Sequence, residues 1–326
     1  MDLKTNFHLQ DKTILVTGGT GSFGNAFASH ILTNGFGSGR LIIFSRDEFK
    51  QGQMRETFPD HRVDFFLGDV RDKDRLRRAF AAGVDVVIHA AALKQVPRCE
   101  NDPEEAIKTN VIGTCNVVDA AITAGVKRVL MISTDKAVNP TNHYGSTKLC
   151  AERMMIQANS YAPHGPVFSV VRYGNVMDSR GSVIEIFREY VSHGKPIPIT
   201  HLDMTRFWLT LRQAAAFVAN VIPHMCGGEV FVPKLSGCAV VDIAKAISGE
   251  LHPEIQLIGI RPGEKIHETL LSIDEARHSV EQPGYYVIYP EFHSWTARIH
   301  WKEVNLLRLP HDFAYRSDTC PKLYPV

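Results

Sequence analysis

The stretch Thr13-Ile14-Leu15-Val16-Thr17-Gly18-Gly19-Thr20-Gly21-Ser22-Phe23-Gly24 decides the architecture. Its first five residues are an apolar, β-branched run of the length of a buried strand, and Ser22 to about Thr33 has helical character. Between them runs a G-x-x-G-x-x-G pattern at Gly18, Gly21 and Gly24. Glycines permit a tight turn and let backbone N–H groups approach a pyrophosphate at the helix N-terminus, where the dipole favours anions. Strand, glycine turn and helix in that order predict a dinucleotide site, with Gly18, Thr20, Gly21, Ser22, Phe23 and Gly24 as contacts.

Outward from this unit the rhythm repeats. Leu41–Phe44, Val63–Leu67, Val84–Ile88, Val129–Ser133 and Phe168–Tyr173 are further strand-like runs. Helical patterns such as Arg75 to Phe80 and Ala106 to Ala124 separate them. Repeated βα units specify a parallel sheet covered by helices on both faces, so the expected fold is α/β, doubly wound, of the Rossmann type. Beyond Tyr173 the rhythm loosens at Gly181, Gly194, Pro196 and Pro198, with a helix resuming near Gln213 to Ile222 and Glu229–Val232 able to rejoin the sheet. From about Ile255 the chain is turn-rich, which predicts a smaller lobe closing over a ligand. The expected division is 1–178 and 206–250 for the cofactor domain, with 179–205 and 251–326 for the substrate lobe.

A net charge of +1 argues against a nucleic-acid or polybasic membrane binder, which need a sustained electropositive surface. No apolar run approaches the roughly 18 residues of a membrane span, and the polar stretch Met1 to Asp11 has no signal core, so a cytoplasmic enzyme is expected. Six scattered cysteines without a C-x-x-C pair predict reduced, mostly buried thiols, and the histidines show no ligand spacing, so no metal is expected.

The end of the second strand selects the dinucleotide. An NAD site usually carries a carboxylate there. Here Ser45-Arg46-Asp47 is followed by Lys50, and Ser45, Arg46 and Lys50 suit a 2′-phosphate, which favours NADP; Asp47 can alternatively serve a ribose. Asp69-Val70 and His89-Ala90-Ala91-Ala92 fall at the carboxyl ends of strands three and four, the edge where open α/β sheets bind ligands. Asp69 is either a partner for the adenine amino group or a loop cap.

Tyr144 and Lys148 are four residues apart, hence on one helix face. A lysine ammonium beside a phenol favours the phenolate, which can take an alcohol proton while hydride leaves for nicotinamide. Thr134, after strand five, can hydrogen-bond the same substrate oxygen. Asp135 and Lys136 are either a solvated loop pair or an acid and a base for neighbouring carbons. In the second case oxidation at C4 acidifies C5–H, Lys136 removes that proton, Asp135 protonates the departing C6 hydroxyl, and hydride returns to C6. A neutral Lys136 requires a lowered pKa, from desolvation or from Lys94, Lys148 and the oxidised nicotinamide.

The wording TGGTGSFG (17–24), FSRDEFKQ (44–51), GDVRD (68–72), HAAALKQVP (89–97), IKTN (107–110), STDKA (133–137), YGSTK (144–148), RYGNV (172–176), SRGSV (179–183), MTRFW (204–208) and RPGEK (261–265) resembles the UDP-N-acetylglucosamine 4,6-dehydratases. These belong to the extended short-chain dehydrogenase/reductase superfamily and include the inverting enzymes that open pseudaminic acid synthesis. The resemblance implies Asp135 and Lys136 as the elimination pair and Tyr144 with Lys148 for hydride transfer. It further implies Asn110 and Val176 at the cofactor and Lys94 near the reacting sugar. Asn175, Arg180, Val183, Thr200, Met204, Arg206, Arg261, Glu264 and, in the tail Asp312–Asp318, Tyr315 are implied at the substrate. A homo-oligomer of the soluble branch, without the membrane helices of larger relatives, is also implied. Asp178 and Glu185 add carboxylates near the expected substrate entrance. Two rivals share the fold: a UDP-sugar 4-epimerase, which needs no Asp135–Lys136 pair, and a non-catalytic NADP-binding regulator, which needs none of the proton-transfer groups.

Overall fold

The computed structural model describes residues 7–177, 179, 181–250, 253–291 and 307–323. The first half alternates as β1 (Thr13–Thr17), α1 (Ser22–Thr33), β2 (Arg40–Ser45), α2 (Glu48–Thr57), β3 (Val63–Leu67), α3 (Lys73–Phe80) and β4 (Val86–His89). Two short helices, α4 (Val96–Asn101) and α5 (Pro103–Ala106), lead into a π-helical stretch at Ile107–Ile112 and then α6 (Gly113–Ala124). The single helix expected over Ala106 to Ala124 is therefore interrupted at its start. β5 (Arg128–Thr134), α7 (His143–Tyr161) and β6 (Val167–Tyr173) complete the set. Side-chain caps begin the helices: Asp47, Asp72 and Asn142 each accept from the backbone amide three residues on, starting α2, α3 and α7.

The strands run parallel in the order β3-β2-β1-β4-β5-β6. Both faces are covered, which is why the strands are apolar throughout. Successive β1 residues enter opposite cores: Leu15 packs with Ile42, Val87 and Val129, while Ile14 and Val16 pack with Leu41, Ile43 and Ile88. Strand order reverses between β1 and β4, and this switch point opens a crevice at the carboxyl edge.

The second half comprises β7 (Asn175–Val176), α8 (Val183–Ser192), β8 (Ile197–Ile199), β9 (Thr205–Leu209), α9 (Leu211–Val221), β10 (Val230–Pro233), β11 (Ser236–Ala239), α10 (Val240–Ser248), β12 (Ile255–Leu257), β13 (Thr269–Leu271), α11 (Ile273–Ala276), β14 (Ser279–Gln282), β15 (Tyr285–Ile288), β16 (Leu307–Arg308) and β17 (Tyr315–Arg316). It does not divide in space at residue 250. β10 joins the sheet beside β6, and β15, β14 and β16 extend it antiparallel to ten strands. The β14–β15 hairpin places Val280 and Val287 in one of the two main cores, so its apolar face demands this position. Conversely α10 packs away from the main sheet, where Ile243 and Ala244 join Ile184, Phe187, Ile199, Met204 and Trp208 in a small separate core.

All six cysteines are unpaired; Cys99, Cys238 and Cys320 are buried, but Cys150 is exposed, so the thiols are less uniformly buried than expected. Among the described residues no helix is long and apolar enough to cross a membrane.

Candidate active site

The glycine turn is built by close backbone packing. Gly18 has a left-handed backbone (φ +65°), and a Cβ there would lie 2.8 Å from Ala91 Cα. At Gly24 a Cβ would lie 2.0 Å from the carbonyl oxygen of Gly19. Only glycine lets the turn, the exit of β4 and the first turn of α1 meet in this way. No side chain caps α1, whose N-cap is Gly21, and an uncapped helix start behind a glycine cradle fits a diphosphate. Thr20 is buried, Ser22 is the first residue of α1, and the Phe23 ring stacks on Phe27 at 5.9 Å. Ala90 and Ala91 donate to the carbonyl and hydroxyl of Thr17 at 3.2 and 3.3 Å, and Ala92 follows half-buried. Beneath them His89 is wedged between Thr17 and Thr114, and burial pushes its imidazole down to about 3, so it is neutral.

At the second strand Ser45 is held by Gln51, whose amide donates to its hydroxyl at 3.0 Å and to the Ser45 and Phe66 carbonyls. Gln51 lies in the quoted FSRDEFKQ, but nothing in the sequence gives it this role. Arg46 is half exposed and stands 3.7 Å from Asp69. Lys50 pairs with Asp47 at 2.5 Å, while the Asp47 carboxylate also caps α2. Both cations suited to a 2′-phosphate are thus countered by carboxylates. Thr20 and Lys50 do line one depression, with Asn25 and Met54. Asp69 adopts the loop-cap arrangement: it accepts from the Arg71 amide at 2.9 Å and binds its guanidinium at 2.7 and 3.0 Å. Burial would raise the Asp69 carboxyl, but Arg71 and then Arg46 outweigh it and hold it low. Val70 is buried, and its carbonyl accepts from Asn116.

Asn110, expected at the cofactor, has its carboxamide engaged elsewhere. Its nitrogen donates to Leu93 O and Thr147 Oγ1, both at 3.0 Å, and its oxygen accepts from the Leu93 amide at 2.8 Å. It fastens the segment bearing Lys94 to α7. Lys94 keeps solvent-exposed surface, yet the surrounding protein desolvates and lowers its ammonium, against the opposing pull of Glu185.

The catalytic candidates converge where β5 meets α7. Asp135 is wholly buried and accepts at Oδ1 from Thr134 Oγ1 (2.9 Å) and Lys136 Nζ (3.0 Å), while its Oδ2 has no partner. Lys136 is also 3.3 Å from Glu268, a buried carboxylate beyond the quoted motifs. Burial alone would lower the Lys136 ammonium, but Asp135 and then Glu268 outweigh it and raise it. This reverses the expected lowering. The cations near it are Arg206, which acts against them, and Lys265, not Lys94 or Lys148. Burial raises the Asp135 carboxyl, so it favours the protonated acid.

Lys148 does not act as expected either. It is buried, donates from Nζ to Ile132 O at 2.7 Å, and is pushed down to about 8 by desolvation. The Tyr144 phenol is pushed up to about 12 by burial, and the opposing influences are the charge of Lys136 and a hydrogen bond with Thr134. The spacing does bring Tyr144 and Lys148 onto the buried side of α7.

On the substrate side Asn175 and Val176 pair with Trp208 and Leu209, and Val183 opens α8 against the small core. Thr200 donates to Met204 Sδ at 3.3 Å, and Met204 is buried in that core, not presented to a nucleotide. Arg206 is saturated by the carbonyls of Thr205, Ile266 and Lys265 at 2.7, 3.0 and 2.9 Å and by Glu264 at 3.6 Å, so it acts as a buried clamp. Arg261 is exposed, and its backbone amide donates to Glu264 at 3.3 Å. Glu185 accepts from the Gly181 amide at 2.6 Å. Tyr315, implied at the substrate, lies in the core: its hydroxyl bonds both backbone groups of Leu235 at 2.5 Å, and its ring packs on Phe207 and Tyr286. Arg180 and Asp178 lie outside the described residues. Among the described residues no group of three His, Cys, Asp or Glu side chains is placed to hold a metal ion.

A glycine-cradled crevice at the switch point of a doubly wound sheet, beside a Thr–Tyr–Lys set, defines an enzyme of the extended short-chain dehydrogenase/reductase class. The chain belongs to the family described as polysaccharide biosynthesis protein, which matches residues 14–290. It is 43% identical over 317 residues to a UDP-N-acetylglucosamine 4,6-dehydratase (inverting) of Campylobacter jejuni, covering 95% of this chain and 93% of the relative. It is also 44% identical over 283 residues to a UDP-glucose 4-epimerase of Rickettsia conorii, covering 85% and 83%. The crystal structure of Pen from Bacillus thuringiensis superposes with a TM-score of 0.87 at 35% identity, covering 97% of this chain and 96% of that one.

Proposed function

We propose that this enzyme is an NADP-dependent UDP-N-acetylglucosamine 4,6-dehydratase that forms a UDP-4-keto-6-deoxy-N-acetylhexosamine. The observation that carries the proposal is the Lys136–Asp135 contact of 3.0 Å beside Thr134 and Tyr144. The Campylobacter relative supports it, and its description as inverting supports inversion at C5. A bound NADP supplies the acceptor and donor of hydride, with the glycine turn for its diphosphate and Arg46 and Lys50 for its 2′-phosphate. Tyr144, once the positive charge of the oxidised cofactor has favoured loss of its own phenolic proton, would take the proton of the C4 hydroxyl, which Thr134 helps to hold. Movement of one proton from Lys136 to Asp135 converts ammonium and carboxylate into amine and carboxylic acid without changing the net charge. Lys136 then takes the C5 proton, and Asp135 gives its proton to the C6 hydroxyl as it leaves as water. A cytoplasmic homo-oligomer belongs to the same proposal, supported by the family resemblance.

Proton NMR of UDP-N-acetylglucosamine with enzyme and NADP in deuterated water tests this reading. The expected result is a new C6 methyl signal with deuterium at C5, the ring couplings reporting the C5 configuration. Change at C4 with C6 intact would instead identify an epimerase. No change on any UDP-sugar, with NADP still bound, would identify a regulator.

A further inference from the structure

Glu268 enters the catalytic cluster from far along the chain. It is 2% exposed, and Oε1 lies 3.3 Å from Lys136 Nζ, on a different element from Asp135. Its backbone amide donates to Ser317 Oγ at 2.9 Å, and Ser317 in turn meets Thr205 at 2.7 Å. The loop before it is pinned to the catalytic loop: Lys265 Nζ donates to Val138 O at 2.6 Å, and Thr141 and Asn142 donate to Gly263 O at 2.9 and 2.8 Å. These contacts fix the backbone that carries Glu268, while its Oε2 makes no hydrogen bond, and a buried carboxylate so placed is costly unless it has a fixed cationic partner.

We propose that Glu268 is a positioning residue for Lys136: its carboxylate holds the lysine nitrogen against Asp135 and remains its counter-ion when Asp135 is protonated. The proposal rests on the dehydratase reading for the identity of the reaction, but not for the ion pair itself. Lys136 faces Asp135, Glu268, Arg206, Lys265 and Tyr144. Of these, Asp135 must give up a proton during elimination, whereas Glu268 does not. Burial would raise the Glu268 carboxyl, but Lys136, Arg206 and Lys265 outweigh it and keep it ionised. When Lys136 gains the C5 proton, Glu268 is therefore still an anion 3.3 Å away to stabilise the ammonium. Asp135 alone would have to serve both as acid and as counter-ion.

The test is the titration of lysine Cε signals in 13C-lysine-labelled protein without substrate, with Lys136 assigned by its loss in Lys136→Met. In Glu268→Gln the Lys136 signal is expected to begin titrating at least about one pH unit lower than in wild type. The rate of C5 deuterium exchange should fall about tenfold or more, with the UDP-sugar KM little changed. Glu268→Asp, which keeps the charge but withdraws it by one methylene, should show a smaller fall and recover part of the rate. A Lys136 titration onset identical to wild type, in whichever variant folds, overturns the proposal. A shifted titration in an enzyme that acts on no UDP-sugar leaves this ion-pair assignment standing and removes the dehydratase reading. Turnover with an unmoved titration does the reverse.

Discussion

Arg46 Nη1 stands 3.7 Å from Asp69 Oδ2, so the cation best placed for a 2′-phosphate bridges the ends of β2 and β3. Asp69 is already bound to Arg71. Arg46 can therefore turn towards a phosphate without leaving a bare carboxylate behind. Arg46→Ala is expected to weaken NADP about tenfold or more and NAD much less, as loss of a charge-assisted contact predicts. Cofactor titration by fluorescence or calorimetry measures both constants. Equal weakening of the two would refute the proposed ribose pocket.

Lys136→Ala should abolish C5 proton exchange and leave NADP binding intact. It also leaves Asp135 and Glu268 as two buried carboxylates without their shared cation. Like charges resist joint ionisation, so the variant should gain stability relative to wild type as pH falls towards 5. Thermal melts between pH 8 and 5 measure this, and turnover at the wild-type rate would remove Lys136 from the mechanism.

Lys148 makes the cofactor-free protein more stable as pH rises above about 8. Its folded pKa is about 8 against an ordinary 10.5, so between those values the unfolded chain binds the extra proton. Below about 8 both states are charged, and burial of the ammonium opposes folding in full. The shift corresponds to about 3 kcal/mol, an upper figure for a relaxed interior. Tyr144, pushed up to about 12, acts oppositely above pH 10, where only the unfolded phenol ionises. The difference in melting temperature between Lys148→Met and wild type should therefore favour the variant most near pH 7 and shrink towards pH 10. A difference independent of pH would mean that Lys148 is not desolvated.

Gly145 carries α7 past the catalytic loop. A Cβ there would lie 2.2 Å from the Lys136 carbonyl oxygen and 3.0 Å from its carbonyl carbon. Gly145→Ala must displace that loop, at a cost of about 1–3 kcal/mol of stability. A misplacement near 1 Å at Lys136 can cost about a hundredfold in rate. Denaturant melts and turnover should both fall. Unchanged values for the two would show that the loop yields freely.

The sequence by itself determined the first βα unit, the six parallel strands and the shared helix side of Tyr144 and Lys148. Each depends on local rules: β-branched runs make strands, Gly18 and Gly24 admit close backbone contact, and four-residue spacing shares a helix face. The tertiary structure alone decided the charge state of Lys136, because its burial exists only after folding and is outweighed by Asp135 beside it and then by Glu268, which arrives from another element. It likewise took Tyr315 and Met204 into cores and bound Arg206 to backbone carbonyls, since motif wording does not say which side of a loop faces inward. The position of β14 and β15 was settled by apolar faces that only the assembled sheet could cover. Local sequence encodes backbone geometry, whereas desolvation and Coulomb interaction depend on distances that exist only after folding.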